Sequence, residues 1–428
     1  MRILLISTNR HDRFVGSLPV RPIPLGLAFL LGVLRDTRHE VHVLDLMFER
    51  APPQAIRRAI RKSSPDLIGM SVRNLDAVGG RRVRSFLPEI RSWIENCRQV
   101  SQARIVLGGA AVSLLPREAF AALEPDLLLA GDASRIFPEL VERLGRQESL
   151  SDLPGLLYRD GTEIRGNPLG TREARPVPPI YDGFDLRRYK AAGYSVSVLT
   201  KLWPYIRIGG PTPMMAMPGP VARPSPDLLA DLRDLRMRLR IRRVFLADSG
   251  FNTPLPEAKV LCRILQEAGL GLEWATGLQP GSMDNELARL MRDAGCRMAL
   301  LAGPGPLQEP LRNFDRHLAE FASAGEPITA AGVRLVATAV FGRPGESRDT
   351  VERTLDLLDH LNPFHVQLSA GIRILPFTPL AEHAKGEGVI RQDSDCLYPV
   401  RYLSPDLKDW LPRRLRAAAR THRSWHLV

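Results

Sequence analysis

The sequence predicts an α/β protein: a doubly wound parallel sheet, then a partial, open (βα)6 barrel and a short helical C-terminal region. Three observations predict this. The chain has 428 residues and 44% hydrophobic content, enough to bury more than one sizeable core. Short apolar runs alternate with amphipathic stretches over residues 1–148. A second alternation then begins at "YSVSVLT" and proceeds without reversal.

In the first unit, residues 1–148, the strands are "RILLIST", "EVHVLDL", "DLIGMSV", "ARIVLGG" and "DLLLAGD". The helices between and after them include "LGLAFLLGVLRDT", "PPQAIRRAIRK", "GRRVRSFLPEIRSWIENC" and "SRIFPELVERLG". Such a sheet binds its ligand beyond the carboxyl ends of its strands, where strand order reverses. Arg73 and Asn74 offer donors at one strand end, and Gly108 and Gly109 permit close backbone approach at another. Turn chemistry explains the glycines equally well. No GxGxxG opens the first helix, which argues against a dinucleotide.

Residues 149–190 read as a Pro- and Gly-rich linker carrying a hairpin, "LLYRDGTEIRG", turned by Asp160 and Gly161. The barrel spans 191–382, with strands "YSVSVLT", "VFLADS", "LEWATGL", "MALLAG", "VRLVATAVFG" and "VQLSAGIRIL". Chemistry in barrels sits just past the strand ends. Residues 383–428 form a C-terminal helical extension.

Composition narrows the function. The net charge of +12 comes almost wholly from Arg spread over helix faces between acidic residues, a solvated-helix pattern with no zinc-finger, stacked-aromatic or recognition-helix motif. Nucleic acid is therefore not an expected partner. "LGLAFLLGVL" is cut by Arg35 and Asp36, so no membrane span is expected, and no signal peptide precedes "RILLIST". Cys97, Cys262, Cys296 and Cys396 lack metal or disulfide spacing, which fits a cytoplasmic protein with reduced thiols.

The order "PIPLGL", "SVRN", "VLGG", "FLADSGFNTP", "GRPGES" and "GIRILPFTPLAE" resembles the cobalamin-binding radical S-adenosylmethionine (SAM) enzymes over residues 1 to 385. The resemblance implies an N-terminal Rossmann-like cobalamin-binding domain and a radical-SAM-type barrel. It implies cobalamin contacts at Arg73, Asn74, Gly108, Gly109, Ser113, Gly131 and Asp132. Members lack the axial DxHxxG motif, as does this chain, and "GDAS" stands where many read GEGE.

One stretch departs from the family. Its members carry CxxxCxxC after the first barrel strand, where three thiolates hold a [4Fe-4S] cluster. Here the stretch reads "VSVLTKLWPYIRIGGPTPMM", and the three positions fall on Trp203, Arg207 and Gly210. Radical cleavage of SAM is therefore not expected, and no iron–sulfur cluster is expected as a cofactor. Leu300 stands where members often place an acid for SAM, and Gly305 where they place a polar residue. The retained candidates for a SAM or substrate pocket are Trp203, Arg207, Asp248, Gly342, Gly345, Glu346 and Arg373.

Each candidate also has a plainer role. Asp248 suits a turn cap, Glu346 a first-turn helix acid, Trp203 a space filler, and Arg207 a solvated cation.

The expected activity is cluster-free, two-electron SAM chemistry on a small molecule, such as methyl or alkyl transfer or cyclisation in natural-product biosynthesis. The alternative is a non-catalytic cobalamin- or metabolite-binding partner of an intact radical SAM paralogue.

Overall fold

The computed structural model describes residues 1–10, 20–77, 83–169, 177–191, 193–202, 221–248 and 250–428. The front sheet has seven strands: β1 (Arg2–Ser7), β2 (Glu40–Asp45), β3 (Leu67–Ser71), β4 (Arg104–Gly108), β5 (Leu127–Leu129), β6 (Leu156–Asp160) and β7 (Glu163–Gly166). Their order is β2-β1-β3-β4-β5-β6-β7. The first five are mutually parallel, and strand order reverses between β1 and β3, the position where doubly wound sheets open a ligand crevice.

Helices cover both faces: α1 (Leu25–Leu34), α2 (Pro52–Ser63), α3 (Leu87–Arg98), α4 (Ala110–Leu114), α5 (Pro116–Leu123) and α6 (Ala133–Arg146). Alternation along β1 explains the layering. Ile3 and Leu5 face the α1 and α6 side, while Leu4 and Ile6 face the α2 and α3 side.

The second sheet runs in chain order: β8 (Val196–Val198), β9 (Arg243–Leu246), β10 (Glu273–Leu278), β11 (Cys296–Ala302), β12 (Arg334–Phe341), β13 (His365–Ala370) and β14 (Trp425–Leu427). All its pairings are parallel. Six strands match the expected partial barrel, and β14 adds a seventh from the region expected to be only helical. Trp425 is buried and pairs with Val366, so the edge of β13 is covered.

Two other segments differ from the sequence expectation. The hairpin β6–β7 is not a free linker; it extends the front sheet antiparallel to β5. Residues 177–191 pack against the front domain: Ile180 N–H donates to Ala28 O at 2.9 Å, and Tyr181 and Tyr189 are buried. Tyr181 also donates to Ser197 O at 2.8 Å, so this segment is a buried joint between the two sheets. In both cases tertiary burial overrides a composition that reads as linker.

Candidate functional site

The front domain contains a cavity of about 260 Å³ between the sheet and helices α1 and α6. Leu5, Leu27, Phe29, Leu30, Leu129 and Phe137 make it mainly apolar, and Gly69, Gly108, Gly109 and Gly131 open its floor and rim. Two of these glycines are fixed by close packing. A Cβ at Gly69 would come within 2.8 Å of Leu5 Cδ2. Gly109 has φ +108°, and a Cβ there would sit 2.5 Å from Val72 O, a backbone atom that cannot move aside.

Polar groups tie the rim together. Ser113 Oγ donates to Gly109 O at 2.8 Å and accepts from Gly131 N–H at 3.0 Å, linking the loops after β4 and β5. Asp132 caps α6, accepting from Ser134 N–H at 3.0 Å. Gly108, Gly109, Gly131 and Asp132 therefore line the cavity, while Ser113 braces it. On the opposite side of the sheet end, Asn74 lines a small cleft with Thr8, Asn9 and Arg10. Asn9 Nδ2 is buried there without a hydrogen-bond partner. Arg73 follows β3 in the same loop as Asn74.

Sequence reasoning missed Asn9, Arg10 and the α1 and α6 wall residues. The signal available was their place just past β1 and on the helices that must cover the sheet.

The second domain opens differently. Ala247, Gly277, Leu300, Thr338, Val340 and Gln367 are only half-buried. Their alternating neighbours, such as Leu246, Leu301, Ala337 and Leu368, are sealed under the outer helices. The half-buried set lies on the inner face, where Ala247 and Leu300 pack against the buried cluster of Phe245, Ala275, Met298 and Val336. Gln367 Nε2 is buried without a partner on that face.

The charged candidates around the mouth are engaged within the protein. Asp248 is 3% exposed and accepts from the backbone N–H groups of Thr200 (3.1 Å) and Lys201 (3.2 Å) and from the Thr200 hydroxyl. It therefore braces the end of β8, while Asn252 closes the "NTP" turn through Gln279 and Ser282. Burial pushes the Asp248 carboxyl above its usual range.

Lys201 donates to the carbonyls of Gly250 (3.0 Å), Phe251 (2.7 Å) and Thr253, and burial lowers its pKa. Glu346 accepts from Gly342 and Arg343 N–H, and burial raises its pKa although the Arg343 guanidinium opposes this. Gly342 and Gly345 are turn positions with φ +104° and +80°.

Arg373 donates through Nε to Asp76 at 2.9 Å, through Nη1 to Ile374 O, and through Nη2 to Cys396 O at 2.7 Å. Trp203 and Arg207, with Gly210, lie outside the described residues.

The thiols do not gather. Cys97 and Cys262 are on helices, Cys296 begins β11 and Cys396 is in the C-terminal segment; all four are buried and free. Burial pushes the Cys97 and Cys262 thiols up to about 12 and raises Cys296 as well, the reverse of what a thiolate ligand needs. Among the described residues no group of three or more His, Cys, Asp or Glu is placed to hold a metal ion, and no helix is long and apolar enough to cross a membrane.

Comparison with known proteins agrees with this geometry. Residues 14–141 match the B12 binding domain family. An uncharacterised methyltransferase of Pyrococcus horikoshii is 22% identical, covering 90% of this chain and 83% of its own length. A tryptophan 2-C-methyltransferase of Streptomyces laurentii is 24% identical, covering 89% and 78%.

The radical SAM methyltransferase TsrM from Kitasatospora setae superposes in two states. With tryptophan and a SAM analogue bound, the TM-score is 0.81 at 22% identity, over 100% of this chain and 91% of that one. With cobalamin and a [4Fe-4S] cluster bound, it is 0.78 at 21%, over 95% and 84%. The chain thus carries a B12 binding domain at residues 14–141, and as a whole it has the fold of the cobalamin-dependent radical SAM methyltransferases.

Proposed function

We propose that this protein is a cobalamin-dependent methyltransferase that takes its methyl group from SAM by two-electron transfer, without an iron–sulfur cluster. Its acceptor is a small molecule of natural-product metabolism, and it works in the cytoplasm. The carrying observation is a contrast in fit. The glycine-lined apolar cavity of about 260 Å³ and the unpartnered Asn9 amide in a separate cleft give apolar and polar ground for parts of a large cofactor at the strand ends. Residues 203–220 contain no Cys, His, Asp or Glu. The residues present therefore fit cobalamin and do not fit a cubane cluster.

When bound, cobalamin supplies a metal centre able to accept and pass on a methyl cation. The chain's own residues do the rest. Gly108, Gly109, Gly131 and Asp132 admit the cofactor, Arg73 and Asn74 meet it at the switch point, and the inner barrel face of Leu300, Thr338 and Gln367 receives the acceptor. Over the whole reaction the methyl carbon–sulfur bond of SAM breaks with its electron pair left on sulfur. A bond from the acceptor to methyl forms, and the acceptor loses a proton. The products are S-adenosylhomocysteine and the methylated acceptor. The Streptomyces and Kitasatospora relatives, named for methyl transfer and one solved with tryptophan, support this reading.

The test loads the full chain with hydroxocobalamin and adds SAM under reducing conditions. The expected result is a cobalamin visible spectrum and S-adenosylhomocysteine without 5′-deoxyadenosine. Formation of 5′-deoxyadenosine, or activity that requires reconstituted iron, overturns the cluster-free reading. The engagement of Asp248 and Glu346 within the protein favours a second reading, a cobalamin-binding partner of an active paralogue. A cobalamin spectrum without SAM turnover selects it.

A further inference from the structure

Asp76 and Arg373 belong to different domains and are 297 residues apart in sequence, yet Arg373 Nε lies 2.9 Å from Asp76 Oδ2. Each side chain is 10% exposed. Asp76 sits three residues after Arg73 and two after Asn74, in a short ribbon where Asp76 pairs with Ser85 and Ala77 with Arg84. Arg373 is held from its own side by the carbonyls of Ile374 and Cys396. The residue after Cys396 adds a second link. Leu397 is 3% exposed and belongs to the front domain's core, with Val72 and Leu75 of the loop that follows β3.

An ion pair this sheltered is costly to form and stays closed only when well hydrogen-bonded, as it is here. The ion pair reaches the loop that carries Arg73 and Asn74, and Leu397 enters the same core cluster as Val72 and Leu75 of that loop.

We infer that Asp76, Arg373 and Leu397 form an interdomain clasp that positions the β3 loop, so that a residue of the second domain sets how firmly the front domain holds its cofactor. The inference rests on reading the front domain as the cobalamin site. Arg373 is thus a positioning residue; it acts on the cofactor through Asp76 and the loop.

Two measurements on the full chain test it. Hydrogen exchange of the cofactor-free protein reads the loop directly: Arg373→Gln is expected to speed exchange at residues 73–77, and unchanged exchange there overturns the clasp. Titration with hydroxocobalamin reads the consequence. Asp76→Asn, which preserves shape, is expected to weaken binding about tenfold, and Asp76→Glu to recover part of it. The double variant Asp76→Asn with Arg373→Gln should lose less than the sum of the two single losses, because the Asp76–Arg373 bond is counted in both. Wild-type binding matched by Asp76→Asn, or losses that simply add, overturns the positioning role. If the wild type takes up no cobalamin, the cofactor reading fails, and the exchange measurement still decides whether the loop is clasped.

Discussion

The two domains present their strand ends in opposite ways. The front domain keeps space: its cavity is walled by aliphatic and aromatic side chains and floored by glycine, and its polar groups sit at the rim. The barrel mouth keeps structure, since Asp248, Lys201, Glu346 and Arg343 are spent on backbone groups of their own and adjoining loops. The comparison teaches that a fold can preserve an open cavity and a neighbouring loop's scaffold by different means. An apolar pocket survives by excluding side chains, and a loop stem survives by giving its buried charged groups hydrogen-bond partners.

Substitutions can break this contrast. The largest effect is expected at a deeply buried pair of the barrel, Arg223 and Asp231, 2.7 Å apart with side chains 1% and 7% exposed. Arg223→Ala should cost about 3–5 kcal/mol by stranding Asp231, read from denaturant midpoints. On the front side, Gly109→Ala should cost about 2–3 kcal/mol, from its left-handed backbone and the blocking Val72 carbonyl, and should also abolish hydroxocobalamin uptake.

Asp248→Asn sharpens the barrel side, because it keeps the shape of the brace and removes its charge. A carboxyl raised by burial stabilises fully below its unfolded pKa of about 4, and that contribution is lost as pH rises through the folded value. The variant should change stability at pH 7 by about 1 kcal/mol or less and flatten the slope from pH 4 upward.

Smallest in stability and largest in specificity is Ala133→Phe, which projects a ring into the front cavity. Folding should change by about 0.5 kcal/mol while hydroxocobalamin affinity falls at least about tenfold. Intact affinity would place the cofactor elsewhere.

Much of the fold was legible because alternation records burial. "RILLIS" and "RLVATAVF" each become a strand with one face under helices. Gly108, Gly109, Gly131 and Asp132 were legible as neighbours because they end or follow adjacent strands, and they line one cavity. What stayed hidden depends on partners far away in sequence. "LLYRDGTEIRG" announces a hairpin but not its pairing with β5, and Arg373 at a strand end reads as a ligand contact until Asp76 appears beside it. Asp248 has two readings for a related reason. A buried carboxylate after a strand suggests a ligand's amino group, yet the backbone amides of Thr200 and Lys201 compete for it and are always present.

The membership of Leu397 in the front domain's core carries a practical lesson for anyone trimming the gene. A fragment ending near residue 190 would expose an oily dent where that leucine belongs, and it would self-associate or sample loose shapes. Affinities measured on such a truncated piece would describe an artefact, so the two halves should be studied as one.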